Sequence, residues 1–87
     1  MSILKMYHMK RLESFRNNEK LKVYYYDLMI KREYQRINYS KDKILEVDYR
    51  YLSNLDLYNI ALNKYLESLN ISYKDYKFLS KNLKKMR

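Results

Sequence analysis

Apolar residues recur along this chain at spacings of three and four, the period of an amphipathic helix rather than the alternation of a strand. The spacing predicts a first helix from about Ser2 to Phe15, with Leu4, Tyr7, His8, Leu12 and Phe15 on one stripe and Ser2 as its cap. Asn17 and Asn18 break the pattern at a corner where asparagine tolerates the left-handed conformation. A second helix, from about Glu19 to Ile37, carries two stripes: Leu21, Tyr24, Tyr25 and Leu28, and then Val23, Tyr26, Ile30, Tyr34 and Ile37. A helix that is apolar on two sides is central in its bundle. The segment LKVYYY also suits a strand, but helical spacing continues through DLMIKREYQRI and no hairpin partner follows, so helix is the preferred reading.

After Asn38 and Tyr39, Ser40 is a natural cap for a third helix from about Lys41 to Leu52, with Ile44, Leu45, Asp48, Tyr51 and Leu52 close together. Ser53 and Asp56 have capping-box spacing ahead of a fourth helix from about Asn54 to Leu69. Its apolar arc is Leu55, Tyr58, Ala61, Leu62, Tyr65, Leu66 and Leu69. The third and fourth helices can also be read as one bent helix, because only Ser53 and Asn54 separate them. Asn70 suits a left-handed helix stop, Ser72 and Asp75 repeat the capping spacing, and a fifth helix is predicted from Tyr73 to about Met86.

The expected architecture is therefore all-α: a compact bundle of four to five short helices, centred on the second and fourth, forming a single domain over residues 1–87. The expected core is Leu21, Leu28, Ile30, Leu55, Leu62, Leu66, Leu69, Leu79 and Leu83. Composition agrees. There is no glycine or proline, so tight hairpin turns lack their usual residues, while 47% of the chain is hydrophobic, enough to argue against disorder. The absence of cysteine excludes disulfides and thiolate metal sites. Charge arrives early, at Lys5, Lys10 and Arg11, so no signal peptide is expected, and the longest uncharged apolar run, 57–63, is too short to span a bilayer. An intracellular, cytoplasmic location is the expectation. The wealth of Lys, Asn, Ile and Tyr also matches A/T-rich codons, as in a low-GC virus or mobile element.

Charge is what changes the picture. The chain has 19 basic and 10 acidic residues, a net charge of +9. The balance is +6 over residues 1–41, −2 over 42–72 and +5 over 73–87. Two basic ends around a slightly acidic middle are the footprint of a polyanionic partner, provided the ends converge. On the fifth helix, Tyr76, Leu79, Leu83 and Met86 fall on one side and Lys74, Lys77, Lys81, Lys84 and Lys85 on the other. Phe78 lands within the lysine face. The preferred reading packs it beneath a neighbouring helix under lysine stems; the alternative exposes it for stacking on a base or filling a partner's pocket. A basic amphipathic helix also suits anionic lipid, but this one lacks tryptophan and its apolar side suits a core.

The fourth and fifth helices with their joint at 70–72 resemble a helix-turn-helix unit, over about 54–86. The resemblance rests on LESLNISYKDYKFLSKNL, where Leu69 and Ile71 flank the turn and Ser72 caps the second helix. It implies that Ser72, Tyr73, Lys74 and Lys77 face a major groove. Asn70 stands where such a turn often has glycine.

Catalytic options fail. His8 is the one histidine and reads as a packing residue, the carboxylates Asp42, Glu46 and Asp48 lack partners in any catalytic pattern, and phosphate-binding glycine loops are absent. No enzyme activity, cofactor or metal is expected. The sequence points to a small nucleic-acid-binding regulator, acting through Lys10, Arg11, Arg16, Tyr73, Lys74, Lys77, Phe78, Lys81, Lys84 and Lys85. The alternative is a protein-binding modulator or inhibitor of a larger complex, a nucleoprotein included, with tyrosines and Phe78 as anchors. No long heptad run demands a dimer.

Overall fold

A computed structural model describes residues 2–38 and 47–78. Within them the chain is an all-α bundle with no strand. The predicted Ser40 cap, the first part of the third helix, and Leu79, Leu83, Met86, Lys81, Lys84 and Lys85 lie outside the described residues.

Helix α1 spans Ile3–Arg16, and the Ser2 hydroxyl accepts the Lys5 N–H at 3.1 Å. Its end shows how a chain without glycine stops a helix. Asn18 takes φ of 57°, the Glu19 N–H reaches the Ser14 carbonyl at 2.9 Å, and the Asn18 N–H reaches Phe15 at 3.2 Å. These are the two reversed bonds of a Schellman stop. The chain then turns back into α2, Lys20–Ile37. LKVYYY is helical throughout.

Residues 47–49, ahead of the next helix, are held by a side chain of α2. Gln35 clamps them with both ends of its amide: Nε2 donates to the Val47 carbonyl at 3.2 Å, and Oε1 accepts the Tyr49 N–H at 2.6 Å. Asp48 accepts the Arg50 N–H at 3.0 Å and ion-pairs with the Arg50 guanidinium at 2.6 Å. These bonds compete with the α-helical ladder. Residues Tyr49–Tyr51 therefore form one 3-10 turn instead of the predicted α-helix, and Leu52 and Ser53 are extended. A single bent helix across Ser53 is thereby ruled out.

Helix α3 spans Asn54–Ser68 and opens on a complete capping box, Asp56 N–H to Ser53 Oγ at 3.2 Å and Ser53 N–H to Asp56 Oδ2 at 3.1 Å. It closes on a second Schellman stop, with Asn70 at φ of 57° and the Ile71 N–H on the Leu66 carbonyl at 3.0 Å. Ser72 Oγ then accepts the Asp75 N–H at 3.1 Å and the chain is helical again over 73–78.

Helix α2 lies between α1 and α3, touching both, as its two apolar stripes predict. The core cluster is Leu28, Met29, Leu57 and Ala61, ringed by half-buried Tyr24, Tyr25, Tyr26 and Leu21, with Ile30, Leu62 and Leu66 also buried. Leu57 is 0% exposed. Leu55 and Leu69, assigned to the core by periodicity, are instead exposed, Leu55 at 68%. The buried arc of α3 is rotated by about 60° from the arc that the leucines outline. The side turned toward α2 holds Ala61, whose small side chain allows close approach.

Helix α1 shows the same rotation. Its inner seam is Leu4, Tyr7, Arg11 and Ser14, while Leu12, Phe15 and His8 are exposed. Two polar residues occupy this seam because each has a partner there. The Ser14 hydroxyl donates to the Lys10 carbonyl at 2.8 Å, and Arg11 ion-pairs with Asp27 of α2. His8 packs only edge-on against Tyr34, with ring centres 6.4 Å apart.

The tyrosines stitch the layers. Tyr7 of α1 meets Tyr26 at 6.4 Å, Tyr26 meets Tyr25 at 5.5 Å, and Tyr25 meets Tyr58 of α3 at 6.3 Å. Rings at these separations and tilts attract beyond their burial. The triplet 24–26 is thus core-edge, with each ring partly covered.

Candidate nucleic-acid interface

Residues 73–78 carry a basic and aromatic patch. At 100° per residue, Tyr73, Lys77, Lys74 and Phe78 occupy one continuous arc, and Tyr76 points to the other side. Exposure follows that division. Tyr73, Lys74, Lys77 and Phe78 are all exposed and Tyr76 is half-buried. Phe78 is 66% exposed, so the packed reading of this residue is corrected: among the described residues, no neighbouring helix covers it. The Lys77 ammonium lies 5.6 Å from the centre of the Tyr73 ring, and that ring sits 6.4 Å from Tyr76 at a 33° tilt. Cation and ring hold each other in place at the surface. The Ser72 cap fixes the first turn that carries them.

The residues predicted on α1 divide. Lys10 and Arg16 are exposed. Arg11 is half-buried and committed to Asp27, so it belongs to the α1–α2 seam more than to a binding surface. Lys10 shares a shallow recess of about 180 Å³ with Glu13, Ser14, Glu19, Lys22 and Tyr26. There Glu19 and Lys22 pair at 2.5 Å; the bond holds the Glu19 carboxyl below its usual range and raises Lys22. Both groups stay charged, and each neutralises the other. Among the described residues, no hydrogen bond, ion pair or ring contact joins 73–78 to α1.

Three features were invisible in the sequence. Lys31 lies 5.9 Å from the Tyr49 ring and Lys64 lies 5.9 Å from Tyr24, so two basic side chains rest on tyrosines. Arg32, only 7% exposed, is the third. Its guanidinium donates to the Leu52 carbonyl at 3.0 Å and Asn54 Oδ1 at 2.9 Å, tying α2 to the start of α3. This arginine is structural. The signal that finds it is spatial: the partners lie 20 and 22 residues away.

Among the described residues, no group of three or more His, Asp or Glu is placed to hold a metal, and no helix is long and apolar enough to cross a membrane. Asp48 has its carboxyl held below the usual range by its hydrogen bonds to Arg50, as befits a structural ion pair. Comparisons with protein-family models, with curated protein sequences and with solved structures returned no match.

Proposed function

We propose that this protein is a non-enzymatic nucleic-acid-binding regulator whose contact surface is the helix that starts at Tyr73. One observation carries the reading: Tyr73, Lys74, Lys77 and Phe78 share one exposed arc of a capped helix in a chain of net charge +9. Lysines neutralise phosphates and release condensed counterions. An exposed aromatic beside them supplies a face on which a base stacks, worth about 1–3 kcal/mol per base. Lys10 and Arg16 add to the field that draws a polyanion in. The resemblance to a helix-turn-helix favours duplex DNA as one target, and the exposed Phe78 favours single strands. A nucleic-acid target implies work inside the cell.

Gel-shift titrations with single-stranded and duplex DNA and RNA test this. Wild-type protein is expected to shift at least one of them at low salt. The Lys74→Glu/Lys77→Glu variant should lose that shift, and Phe78→Ala should weaken single-strand binding more than duplex binding. No shift by the wild type, or an undiminished shift by the charge-reversed variant, overturns the reading.

A further inference from the structure

Two lysine–aromatic pairs stand on the helix that starts at Tyr73, and the order of residues within each pair decides what its ring can do. Tyr73 precedes Lys77 by four positions, and Lys74 precedes Phe78 by four. Residues four apart are neighbours on a helix surface. Long side chains on a helix lean back toward its N-terminus. Lys77, the later member of its pair, therefore reaches over Tyr73, and its ammonium lies 5.6 Å from the centre of that ring. Lys74, the earlier member of the other pair, leans away from Phe78. Among the described residues, no cation or second ring lies on Phe78, which is 66% exposed. Tyr73 is thus occupied by Lys77 and Tyr76, whereas the face of Phe78 is open.

The surroundings of this arc do not suit a duplex. A major-groove reader aims arginine, asparagine, glutamine or lysine at base edges. Residues 73–78 include none of the first three, and Lys77 is drawn back onto Tyr73. Ser72, just ahead of them, accepts the Asp75 N–H. The first helix of a helix-turn-helix crosses the phosphate backbone. Here that helix would be α3, where exposed Asp56 and Glu67 oppose Lys64 alone, and Lys64 rests on Tyr24. A paired base inside a duplex is stacked on both faces and offers neither to Phe78. An unpaired base in a single strand has a face to give.

Building on the nucleic-acid reading of this face, we infer that its target is single-stranded, with an unpaired base stacked on Phe78 and the adjoining phosphates on Lys74 and Lys77. At about 100° per residue, the order round the arc is Tyr73, Lys77, Lys74, Phe78, which sets both lysines between the two rings. The strand's backbone runs over the lysines, and its base turns to the Phe78 edge. Tyr73 is a positioning residue, which holds Lys77 through its ring. Every base has a π-face, so binding of this kind tolerates any sequence. DNA and RNA strands share this chemistry.

Fluorescence anisotropy with the full chain tests the assignment, with circular dichroism confirming that each variant keeps wild-type helicity. The probes are labelled oligonucleotides of about 12 nucleotides at one low salt concentration: single-stranded DNA, single-stranded RNA, the matching duplex, and a DNA strand of the same length made of abasic sites. At least one of the two base-bearing single strands should bind about tenfold or more tighter than the duplex and the abasic strand. Phe78→Leu keeps apolar bulk but loses the ring. It should weaken binding of that strand about tenfold and leave the abasic strand unchanged, while Phe78→Tyr should retain wild-type affinity. A duplex bound as tightly as either single strand overturns the assignment and leaves the nucleic-acid reading standing. So does a Phe78→Leu variant that binds the strand as wild type does, or that weakens the base-bearing and abasic strands alike. Binding of none of the four probes removes the nucleic-acid reading itself, and the assignment with it.

Discussion

Replacing Leu57 with alanine removes most of the one side chain that is 0% exposed among the large described ones. It lies in a cluster with Leu28, Met29 and Ala61, between α2 and α3. Truncating a buried leucine costs about 2–5 kcal/mol, the transfer energy of the lost methyl groups plus the cavity left behind. The rigid helices on either side limit collapse into that space, which puts this site at about 3–4 kcal/mol. A chain of this size has a total stability of about 4–13 kcal/mol, so the loss is a large part of it. Each kcal/mol lowers Tm by about 4–8 °C in a domain of this length, so Leu57→Ala should melt at least about 12 °C below wild type. The informative control is Leu55→Ala. It changes the same residue type in the same helix, two positions earlier, but at a site 68% exposed. Its effect should stay within about 0.5 kcal/mol. Urea and thermal unfolding followed by far-ultraviolet circular dichroism measure both, and the urea slope should be unchanged for each. If Leu55→Ala destabilises as much as Leu57→Ala, α3 does not turn Leu57 inward and Leu55 outward.

Ser53→Ala removes one half of the capping box and should cost about 1 kcal/mol, with amide exchange accelerated in the first turn of α3 and little changed in α1. Arg32→Lys keeps the charge but replaces a planar fork with a point, which cannot serve the Leu52 carbonyl and Asn54 together. A loss of about 1–3 kcal/mol in urea unfolding is expected, and an unchanged midpoint would contradict the structural role given to this arginine. Asp48 titrates below its unfolded value because Arg50 stabilises its charged form. Its contribution is present above the unfolded pKa, about 3.9, and is lost as pH falls through the lower folded value. Stability of the Asp48→Asn variant should therefore depend less on pH below about 4 than that of the wild type, and identical acid profiles would contradict this.

The helix boundaries were largely legible because they are written in local chemistry. Ser2, Ser53 with Asp56, and Ser72 cap as their spacing predicts, and Asn18 and Asn70 adopt the left-handed stops that a chain without glycine must assign to asparagine. The central place of α2 was legible from its two apolar sides. Which face each outer helix buries was not. Hydrophobic periodicity puts Leu12 and Phe15 inward, but Arg11 and Ser14 hold that position because Asp27 and the Lys10 carbonyl satisfy them. On α3, Leu57 stands outside the leucine arc, and only the placement of α2 shows that it is innermost. The 3-10 turn at 49–51 depends on Gln35, which no local pattern links to Val47 or Tyr49. At the candidate interface, the capped helix and its lysines were legible, whereas the exposure of Phe78 depended on how the bundle packs around it.

Salt dependence tests whether the face of Tyr73, Lys74, Lys77 and Phe78 grips nucleic-acid phosphates. Affinity for a labelled oligonucleotide, measured by fluorescence anisotropy across a range of salt concentrations, gives a log–log slope that counts displaced counterions. Binding should weaken steeply with salt, with a slope smaller by about two in the Lys74→Ala/Lys77→Ala variant. Binding that ignores salt, or a slope that the variant leaves unchanged, would contradict it.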